Sequence, residues 1–254
     1  MPLTPEISLI LPGYNEADNI EPMVKQVRDA LLSVGRPFEI LYVDDGSSDS
    51  SRSELARVAA EVVELRALFH RSNFGQSAAI LTGIENAQGA LVITMDSDLQ
   101  NDPADLPAMI RKLENEGLDA ICGIRQKRQD SRVKLLSSRV GNAVRQSLLK
   151  DEITDAGCTM RVMRRSALVQ LPSFRALHRF LPTILKIHGF RVAEMPITHR
   201  ARSSGVSKYG VGNRLWVGIG DIMGLRWYRR RYLPPNRLEK TIGAVDDETA
   251  SRFG

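Results

Sequence analysis

The chain has 254 residues, of which 43% are hydrophobic and 26% are charged, values that indicate a folded protein and exclude a disordered or fibrous one. Its 35 basic and 30 acidic residues give a formal net charge of +5, an excess that indicates an anionic partner only where the basic residues cluster. The two cysteines, Cys122 and Cys158, form neither a disulfide framework nor a metal-ligand spacing, and each is expected to be a small buried hydrophobe.

Short apolar runs alternate with amphipathic ones along the first half of the chain. The apolar runs predict strands at residues 7–11, 38–43, 65–69, 91–95 and 119–124, and a later one at 192–197. Helices are predicted between them, with these apolar faces: Ile20, Val24, Val27 and Leu31; Leu55, Val58 and Val62; Ala78, Leu81, Ile84 and Ala87; Ile110 and Leu113. This alternation favours a mostly parallel sheet covered on both faces.

Polar clusters follow three of the predicted strands. They are Tyr14-Asn15-Glu16, Asp44-Asp45-Gly46-Ser47 and Asp96-Ser97-Asp98. Because ligands of parallel sheets bind beyond the carboxyl ends of the strands, we expect the three clusters to converge on one edge.

Asp96 and Asp98 end a strand that is predicted to be buried, where two like charges are costly unless a positive group joins them. Carboxylates in this position suit Mg²⁺ or Mn²⁺, since these ions often take one or two protein carboxylates together with substrate phosphates. A solvated turn that caps the helix beginning near Pro103 is the alternative interpretation.

A metal at this edge implies a phosphate ligand, but the two common nucleotide-binding motifs are missing. The sequence contains neither G-x-G-x-x-G after the first strand nor G-x-x-x-x-G-K-[ST]. Instead, Asp45 can accept hydrogen bonds from a nucleobase or ribose, Tyr14 can lie against the base, and Glu16 can bind a further donor. A helix cap at Glu16 and a turn at residues 44–46 are the simpler alternatives.

Basic residues cluster in the second half of the chain. Residues 125–150 hold one acid, Asp130, and eight basic residues, and their apolar positions have helical spacing: Val133, Leu136, Val140, Val144 and Leu148. A further apolar stripe precedes Arg229-Arg230-Arg231: Leu215, Trp216, Ile219, Ile222, Met223 and Trp227. Such segments can lie on a membrane surface, with a solvated basic face as the alternative. The lack of interleaved aromatic residues in residues 125–150 disfavours nucleic acid.

Five segments resemble, in order and spacing, the motifs of family 2 glycosyltransferases: LPGYNE, VDDGSSD, MDSDLQ, TDAGCTMRVMRR and HRARSSGVSKY. D-x-D-L-Q with R-x-x-G-x-S-K-Y is similar to the branch of dolichol-phosphate mannose synthase and bacterial polyprenyl-phosphate glycosyltransferases. The resemblance implies a GT-A type, Rossmann-like three-layer α/β sandwich. It also implies metal-dependent, inverting transfer of a sugar from a UDP- or GDP-linked donor to a polyprenyl phosphate.

The resemblance also implies roles for individual residues. The nucleotide-sugar site would comprise Pro12, Tyr14, Glu16, Val43, Asp45, Asp96, Ser97, Asp98, Gln100, Arg202 and Lys208. Within it, Asp96, Asp98 and Gln100 would surround the metal, and Arg202 and Lys208 would close over the diphosphate. Arg125, helped by Arg132, would face the acceptor phosphate. The residues expected to carry catalysis are Asp98, Arg125, Arg202 and Lys208, while Asp155 is either structural or sugar-positioning.

A polyprenyl phosphate needs no protein base, because its second pKa of about 6 leaves it mostly dianionic at neutral pH. We therefore expect the four histidines to be packing or loop residues, with His178 the one nearest the site. A second hypothesis keeps the fold but uses a saccharide or other hydroxyl acceptor in cell-envelope polysaccharide synthesis, with Asp98 or Asp155 as base. A third is a non-catalytic nucleotide-sugar adaptor, which would have no need of a complete clamp for the leaving group.

The predicted organisation is a catalytic domain over residues 1–204, a cationic loop and membrane-surface segment over 205–233, and a polar, disordered tail over 234–254. The start of the chain lacks the pattern of a signal peptide, and no run of about 18 apolar residues predicts a spanning helix. We expect a cytoplasmic protein bound peripherally to the membrane, without a nucleic-acid partner. The segment GIRQKRQDS resembles relatives that use UDP-sugars, which favours UDP over GDP, while the sugar and the oligomeric state are not specified.

Overall fold

The computed structural model describes five stretches of the chain: residues 4–125, 146–149, 151–169, 171–200 and 214–234, with the backbone alone for 214–219. Three predicted site residues, Arg132, Arg202 and Lys208, lie outside these stretches. So do most of the predicted basic helix and nearly all of the predicted polar tail; of that helix, residues 146–149 are described and are helical.

The described residues form one sheet of seven strands: β1 (Ile7–Gly13), β2 (Phe38–Asp44), β3 (Leu65–Phe69), β4 (Leu91–Thr94), β5 (Ala120–Arg125), β6 (Arg161–Arg164) and β7 (Val192–Ile197). Their order is β3-β2-β1-β4-β6-β5-β7. The pairs β1–β2, β1–β4, β2–β3 and β5–β7 are parallel, whereas β6 runs antiparallel to β4 and β5. The sheet is mostly parallel, as predicted.

Helices cover both faces of the sheet: α1 (Ala17–Leu32), α2 (Ser51–Glu61), α3 (Gln76–Asn86), α4 (Leu106–Asn115), α5 (Arg165–Leu168), α6 (Leu177–Ile187) and α7 (Arg214–Arg231). A 3₁₀ turn, Pro103–Asp105, precedes α4. Apolar residues of α1, α2 and α4 pack in one core cluster with the sheet, while those of α3, α5 and α6 pack in a second cluster on the other face. The prediction of a three-layer sandwich is confirmed.

Helix α3 is buried along a different line from the predicted one. Its most buried residues are Ser77, Ala79, Ile80 and Gly83, whereas the predicted Ala78, Leu81 and Ile84 are half-buried. The reason is that the helix touches both the sheet and α6, so its apolar side chains point in two directions. At Gly83 a Cβ atom would lie 2.4 Å from Ile10 of β1, so only glycine allows this approach.

Two features of the second half were not predicted. Strand β6 and helix α6 both lie between predicted elements. Helix α7 packs on α6 through Leu225, which is buried, and through Ile222 and Tyr228. Within the described chain, no helix combines the length and the apolar character needed to cross a lipid bilayer.

The cysteines are buried, as expected, and neither is in a disulfide. Burial raises the pKa of Cys122 to about 12 and that of Cys158 to about 11. Both thiols are therefore protonated at neutral pH and act as small core residues.

Candidate active site

The three polar clusters meet at the carboxyl edge of the sheet, as the sequence predicts. Strand β1 lies between β2 and β4, so its end joins the other two. Ser97 Oγ donates a hydrogen bond to the Pro12 carbonyl oxygen over 2.9 Å, and the Asp45 amide donates to the Gly13 carbonyl oxygen over 2.8 Å. The clusters thus form one site.

The loop after β1 is tied to the loop after β2. Asn15 adopts a positive φ of 53°, and its side-chain Oδ1 accepts a hydrogen bond from the Ser48 amide over 2.8 Å. The Glu16 amide donates to Oγ of Ser51, the first residue of α2, over 2.9 Å. Tyr14 and Glu16 are half-buried beside these bonds, so both can reach a ligand at the edge.

Asp45 is occupied within the protein. Its Oδ1 accepts hydrogen bonds from the Phe74 amide over 2.9 Å and pairs with His70 Nδ1 over 2.7 Å, and its Oδ2 accepts from the Gly75 amide over 2.7 Å. His70 Nε2 in turn lies 3.0 Å from Thr82 Oγ1 of α3. Asp45 therefore fixes the loop of residues 70–75, and its buried carboxylate has little capacity left for a nucleobase.

The adjacent Asp44 is the carboxylate with an unused oxygen at this place. It is 1% exposed, its Oδ2 accepts from the Ser47 amide over 3.2 Å, and Arg52 Nε lies 3.6 Å from the same oxygen. Its buried Oδ1 has no hydrogen-bond partner among the described residues. Because a buried acceptor is costly to leave unsatisfied, Asp44 Oδ1 is a better candidate than Asp45 for binding a ligand donor.

Asp96 and Asp98 lie side by side after β4. Asp96 Oδ1 accepts a hydrogen bond from Gln76 Nε2 of α3 over 2.6 Å, and Asp98 Oδ1 accepts from the Gln100 amide over 3.2 Å. Burial, followed by the neighbouring Asp98, raises the pKa of Asp96 to about 6. The two carboxylates repel each other at neutral pH, and a cation between them would relieve that repulsion.

The donor set fits a hard divalent cation that shares its ligands with a substrate. Asp96, Asp98 and the side-chain carbonyl of Gln100 are oxygen donors, which Mg²⁺ and Mn²⁺ prefer. The described residues contain no group of three or more His, Cys, Asp or Glu side chains that could form a complete cage. An ion held here would need further oxygens, such as those of a diphosphate.

Arg125, the last residue of β5, makes a two-bond ion pair with Asp155. Its Nε and Nη2 donate to the two Asp155 oxygens over 2.8 and 2.7 Å. The side chains are 16% and 10% exposed. Glu194 of β7 holds the same loop, because its carboxylate accepts hydrogen bonds from the Thr154 amide and hydroxyl over 3.0 and 2.8 Å. Asp155 is thus structurally engaged.

Arg161 is a buried cation that the sequence did not single out. It is the first residue of β6 and pairs in register with Thr94 of β4. The side chain is fully buried, and its Nη2 donates to the Ala156 carbonyl oxygen over 3.3 Å. Its Nε and Nη1 have no hydrogen-bond partner among the described residues. No regular pattern in the sequence marks it, because β6 is short and polar at both ends.

The remaining predicted residues differ in their positions. Pro12 and Val43 are paired across β1 and β2 and are buried, so they support the edge from below. Ser97 is buried. Gln100 is half-buried, and its backbone carbonyl oxygen accepts a hydrogen bond from the Arg200 amide over 2.7 Å. Gln76, which binds Asp96, is a site residue that the sequence did not indicate.

A twice-covered, mostly parallel sheet with polar clusters at its carboxyl edge defines an α/β protein of the class that binds ligands beyond the ends of its strands. The sequence model of glycosyl transferase family 2 matches residues 8–171, which contain all three polar clusters. The chain belongs to this family.

Two curated relatives are identical to this chain at about a third of the aligned positions. Dodecaprenyl-phosphate galacturonate synthase from Rhizobium johnstonii is 35% identical over 242 residues, 94% of this chain and 71% of the relative. Undecaprenyl-phosphate 4-deoxy-4-formamido-L-arabinose transferase from Salmonella typhimurium is 34% identical over 205 residues, 80% of this chain. The aligned segment spans 62% of the Salmonella relative.

Solved structures share the fold at low sequence identity. One is glucosyl-3-phosphoglycerate synthase from Mycobacterium tuberculosis, in complex with Mn²⁺, UDP-glucose and phosphoglyceric acid. Its TM-score is 0.64 at 19% identity, and the match covers 87% of this chain and 80% of the synthase. The mannosyltransferase PcManGT from Pyrobaculum calidifontis has a TM-score of 0.59 at 18% identity. The match covers 91% of this chain and 66% of the mannosyltransferase. The predicted GT-A type fold is confirmed.

Proposed function

We propose that this protein transfers a sugar from a nucleotide-sugar donor to a polyprenyl phosphate, with inversion at the anomeric carbon. The observation that carries the proposal is the Arg125–Asp155 ion pair. It engages one of the two carboxylates that could serve as a base, while the other, Asp98, stands beside Asp96 in the candidate metal site. An acceptor that is already ionised needs neither, and both curated relatives described above are named for a polyprenyl phosphate.

The nucleoside would bind at the ends of β1 and β2. Tyr14 would lie against the base, Glu16 would accept from a hydroxyl or base donor, and Asp44 Oδ1 would accept one further hydrogen bond. Asp45 would contribute by holding residues 70–75 beside the base. The donor is a UDP- or GDP-sugar, and the local resemblance of residues 123–131 favours UDP.

The diphosphate would lie over Asp96 and Asp98, which with Gln100 would hold Mg²⁺ or Mn²⁺. When bound, such an ion supplies positive charge for the leaving diphosphate. Arg202 and Lys208, from the cationic loop, would add charge to the same group. Because these interactions strengthen as the bond to the sugar breaks, they stabilise the transition state more than the ground state.

Arg125 would orient the acceptor phosphate, with Arg132 as a helper. The pair with Asp155 uses two of the five N–H donors of the guanidinium, so the group can bind a phosphate while it stays fixed. The phosphate oxygen would then attack the anomeric carbon from the face opposite the diphosphate, forming the new C–O bond as the diphosphate leaves. A single displacement inverts the configuration.

The membrane would be reached through helix α7. Its outer face exposes Met223 and Trp227, and Leu233 follows the helix; these side chains are 52%, 64% and 69% exposed. Arg230 and Arg231 are also exposed, one turn beyond Trp227. Amphipathic aromatic and basic side chains are the types that bind the interface of an anionic membrane. We propose peripheral attachment on the cytoplasmic face, where the nucleotide sugars are available.

The experiment is a transfer assay with purified protein, Mg²⁺ or Mn²⁺ and a short-chain polyprenyl phosphate, against a panel of UDP- and GDP-sugars. Mass spectrometry should detect a polyprenyl monophosphate sugar from one donor. Asp98→Asn should abolish the product, whereas Asp29→Asn, at an exposed acid of α1, should not. Donor binding without any lipid product from the wild-type protein would contradict the proposal.

A further inference from the structure

A serine–histidine pair joins the first turns of two helices beside the candidate active site. Ser77 Oγ of α3 lies 2.7 Å from His178 Nδ1 of α6, and the His178 amide donates to the same oxygen over 3.5 Å. Both helices begin at the carboxyl edge of the sheet, on the face opposite α1 and α4. The pair therefore fixes the imidazole at the edge where the polar clusters meet.

The imidazole is neutral. Burial, with the cations Arg179 and Arg161 nearby, lowers the pKa of His178 to about 3. Ser77 Oγ engages Nδ1, so Nε2 is the ring nitrogen on the side away from Ser77 that can bind a ligand. In a neutral imidazole that nitrogen donates or accepts a hydrogen bond according to the tautomer.

The residue next to Ser77 in the sequence contacts the candidate metal site. Gln76, the neighbour of Ser77, donates to Asp96 over 2.6 Å. Arg161 lies near enough to both Asp96 and His178 to lower the pKa of each. Its buried Nε and Nη1 have no partner among the described residues. The contacts of the adjacent residues Gln76 and Ser77 therefore bring the Asp96 carboxylate and the His178 imidazole to the same part of the carboxyl edge, with the buried donors of Arg161 nearby.

The chemistry of this region selects one part of the substrate. The nucleoside is expected at the ends of β1 and β2, and the lipid has no polar groups beyond its phosphate. A phosphate dianion would favour a protonated imidazole, whereas a neutral imidazole near a carboxylate matches a hydroxyl group, which can both accept and donate a hydrogen bond. Sugar rings present such hydroxyl groups.

We propose that His178, oriented by Ser77, forms a hydrogen bond through Nε2 with a hydroxyl group of the sugar in the nucleotide-sugar donor. The proposal rests on the function proposed above and adds a residue that positions the sugar. Burial, with Arg179 and Arg161 nearby, supports it by keeping the ring neutral. The contact would hold the anomeric carbon in line between the acceptor and the leaving diphosphate.

The test compares binding of a nucleotide sugar with binding of its nucleoside diphosphate. UDP-glucose, UDP-galacturonic acid and GDP-mannose are titrated into the wild-type protein by calorimetry with Mg²⁺, and the tightest is used with the matching UDP or GDP. His178→Asn keeps a polar partner for Ser77 and removes Nε2. His178→Gln places an amide group near the Nε2 position. His188→Asn, at the other end of α6, is the matched control.

We expect His178→Asn to weaken binding of the nucleotide sugar at least about tenfold, through the loss of one hydrogen bond at the half-buried imidazole, while affinity for the diphosphate stays unchanged. His178→Gln should recover most of the loss, and His188→Asn should match the wild type. If His178→Asn does not fold, Ser77→Ala is measured instead and should show a smaller loss with the same selectivity.

Equal losses of affinity for the nucleotide sugar and the diphosphate, or no loss for either, would overturn the proposal. It would also be overturned if the wild-type protein bound UDP or GDP but bound none of the three nucleotide sugars more tightly. These outcomes do not depend on the acceptor. A failure of the lipid transfer assay with selective sugar binding intact would refute the proposed function and leave the role of His178 standing.

Discussion

The Arg125 guanidinium and the Asp155 carboxylate form a two-bond ion pair at the end of β5, with N–O distances of 2.7 and 2.8 Å. Each group limits what the other can do. Asp155 is a weak proton acceptor while it is paired with a cation, and Arg125 is held in one orientation. The pair is therefore better suited to presenting a fixed positive charge than to removing a proton from a hydroxyl group.

Asp44 and Asp45 should respond in opposite ways to the same substitution. Asp45→Asn weakens the hydrogen bonds that hold residues 70–75, so we expect a loss of about 1–3 kcal/mol in the free energy of unfolding. Asp44→Asn should leave stability nearly unchanged and weaken binding of UDP or GDP. Urea denaturation and calorimetry measure the two effects. Strong destabilisation by Asp44→Asn with normal nucleotide binding would reverse the roles assigned here.

Arg161→Met should separate stability from function. The substitution keeps most of the side-chain volume and removes a fully buried charge that makes no salt bridge with a carboxylate among the described residues. Because an unpaired charge is costly to bury, its replacement by an apolar group of similar size should not destabilise the fold. We expect a melting temperature equal to or above that of the wild type and a large loss of transfer. A variant that melts earlier yet remains active would show that Arg161 serves the fold alone.

The low pKa of His178 makes stability depend on pH. The folded ring titrates at about 3 and an unfolded one at about 6.5, so the unfolded chain binds a proton in a range where the folded chain does not. Stability is complete above pH 6.5 and is lost as the pH falls towards 3. Between pH 7 and 5 the wild type should lose about 2 kcal/mol more than His178→Asn. Parallel stability curves in urea would contradict the neutral, buried ring.

Helix α7 should mediate binding to anionic lipid. Met223→Ser with Trp227→Ser removes two exposed apolar side chains, which are 52% and 64% exposed, and should lower co-sedimentation with phosphatidylglycerol vesicles by about fivefold or more. Val63→Ser, at a residue that is 90% exposed on the turn before β3, is the matched control. Unchanged sedimentation of the double variant would place membrane binding elsewhere.

The sequence was sufficient to predict the first five strands and the meeting of the three polar clusters. Those strands are predominantly apolar runs, and parallel connections bring their ends to one edge. Strand β6 escaped prediction because its four residues, Arg161–Arg164, begin and end with arginine. A strand that lies between two others can carry a charged residue where its end borders the candidate active site, as Arg161 does.

Residue roles were harder to predict than positions. Asp44 and Asp45 are adjacent, and a sequence does not tell which carboxylate turns towards the loop after β3 and which keeps a free oxygen. The Ser77–His178 pair joins residues 101 positions apart, so no local pattern reveals it. Such contacts depend on how α3 and α6 pack on the sheet, which is a tertiary property.

The most direct test of the account compares two acceptors that differ in one group. The wild-type protein is given its preferred nucleotide sugar with either a polyprenyl phosphate or the corresponding free polyprenol, and product formation is followed by mass spectrometry. Because Asp155 is paired with Arg125 and Asp98 is assigned to the candidate metal site, we predict product from the phosphate and at least about a thousandfold less from the alcohol. Comparable transfer to the polyprenol would contradict the account, since it would require a protein base at this site.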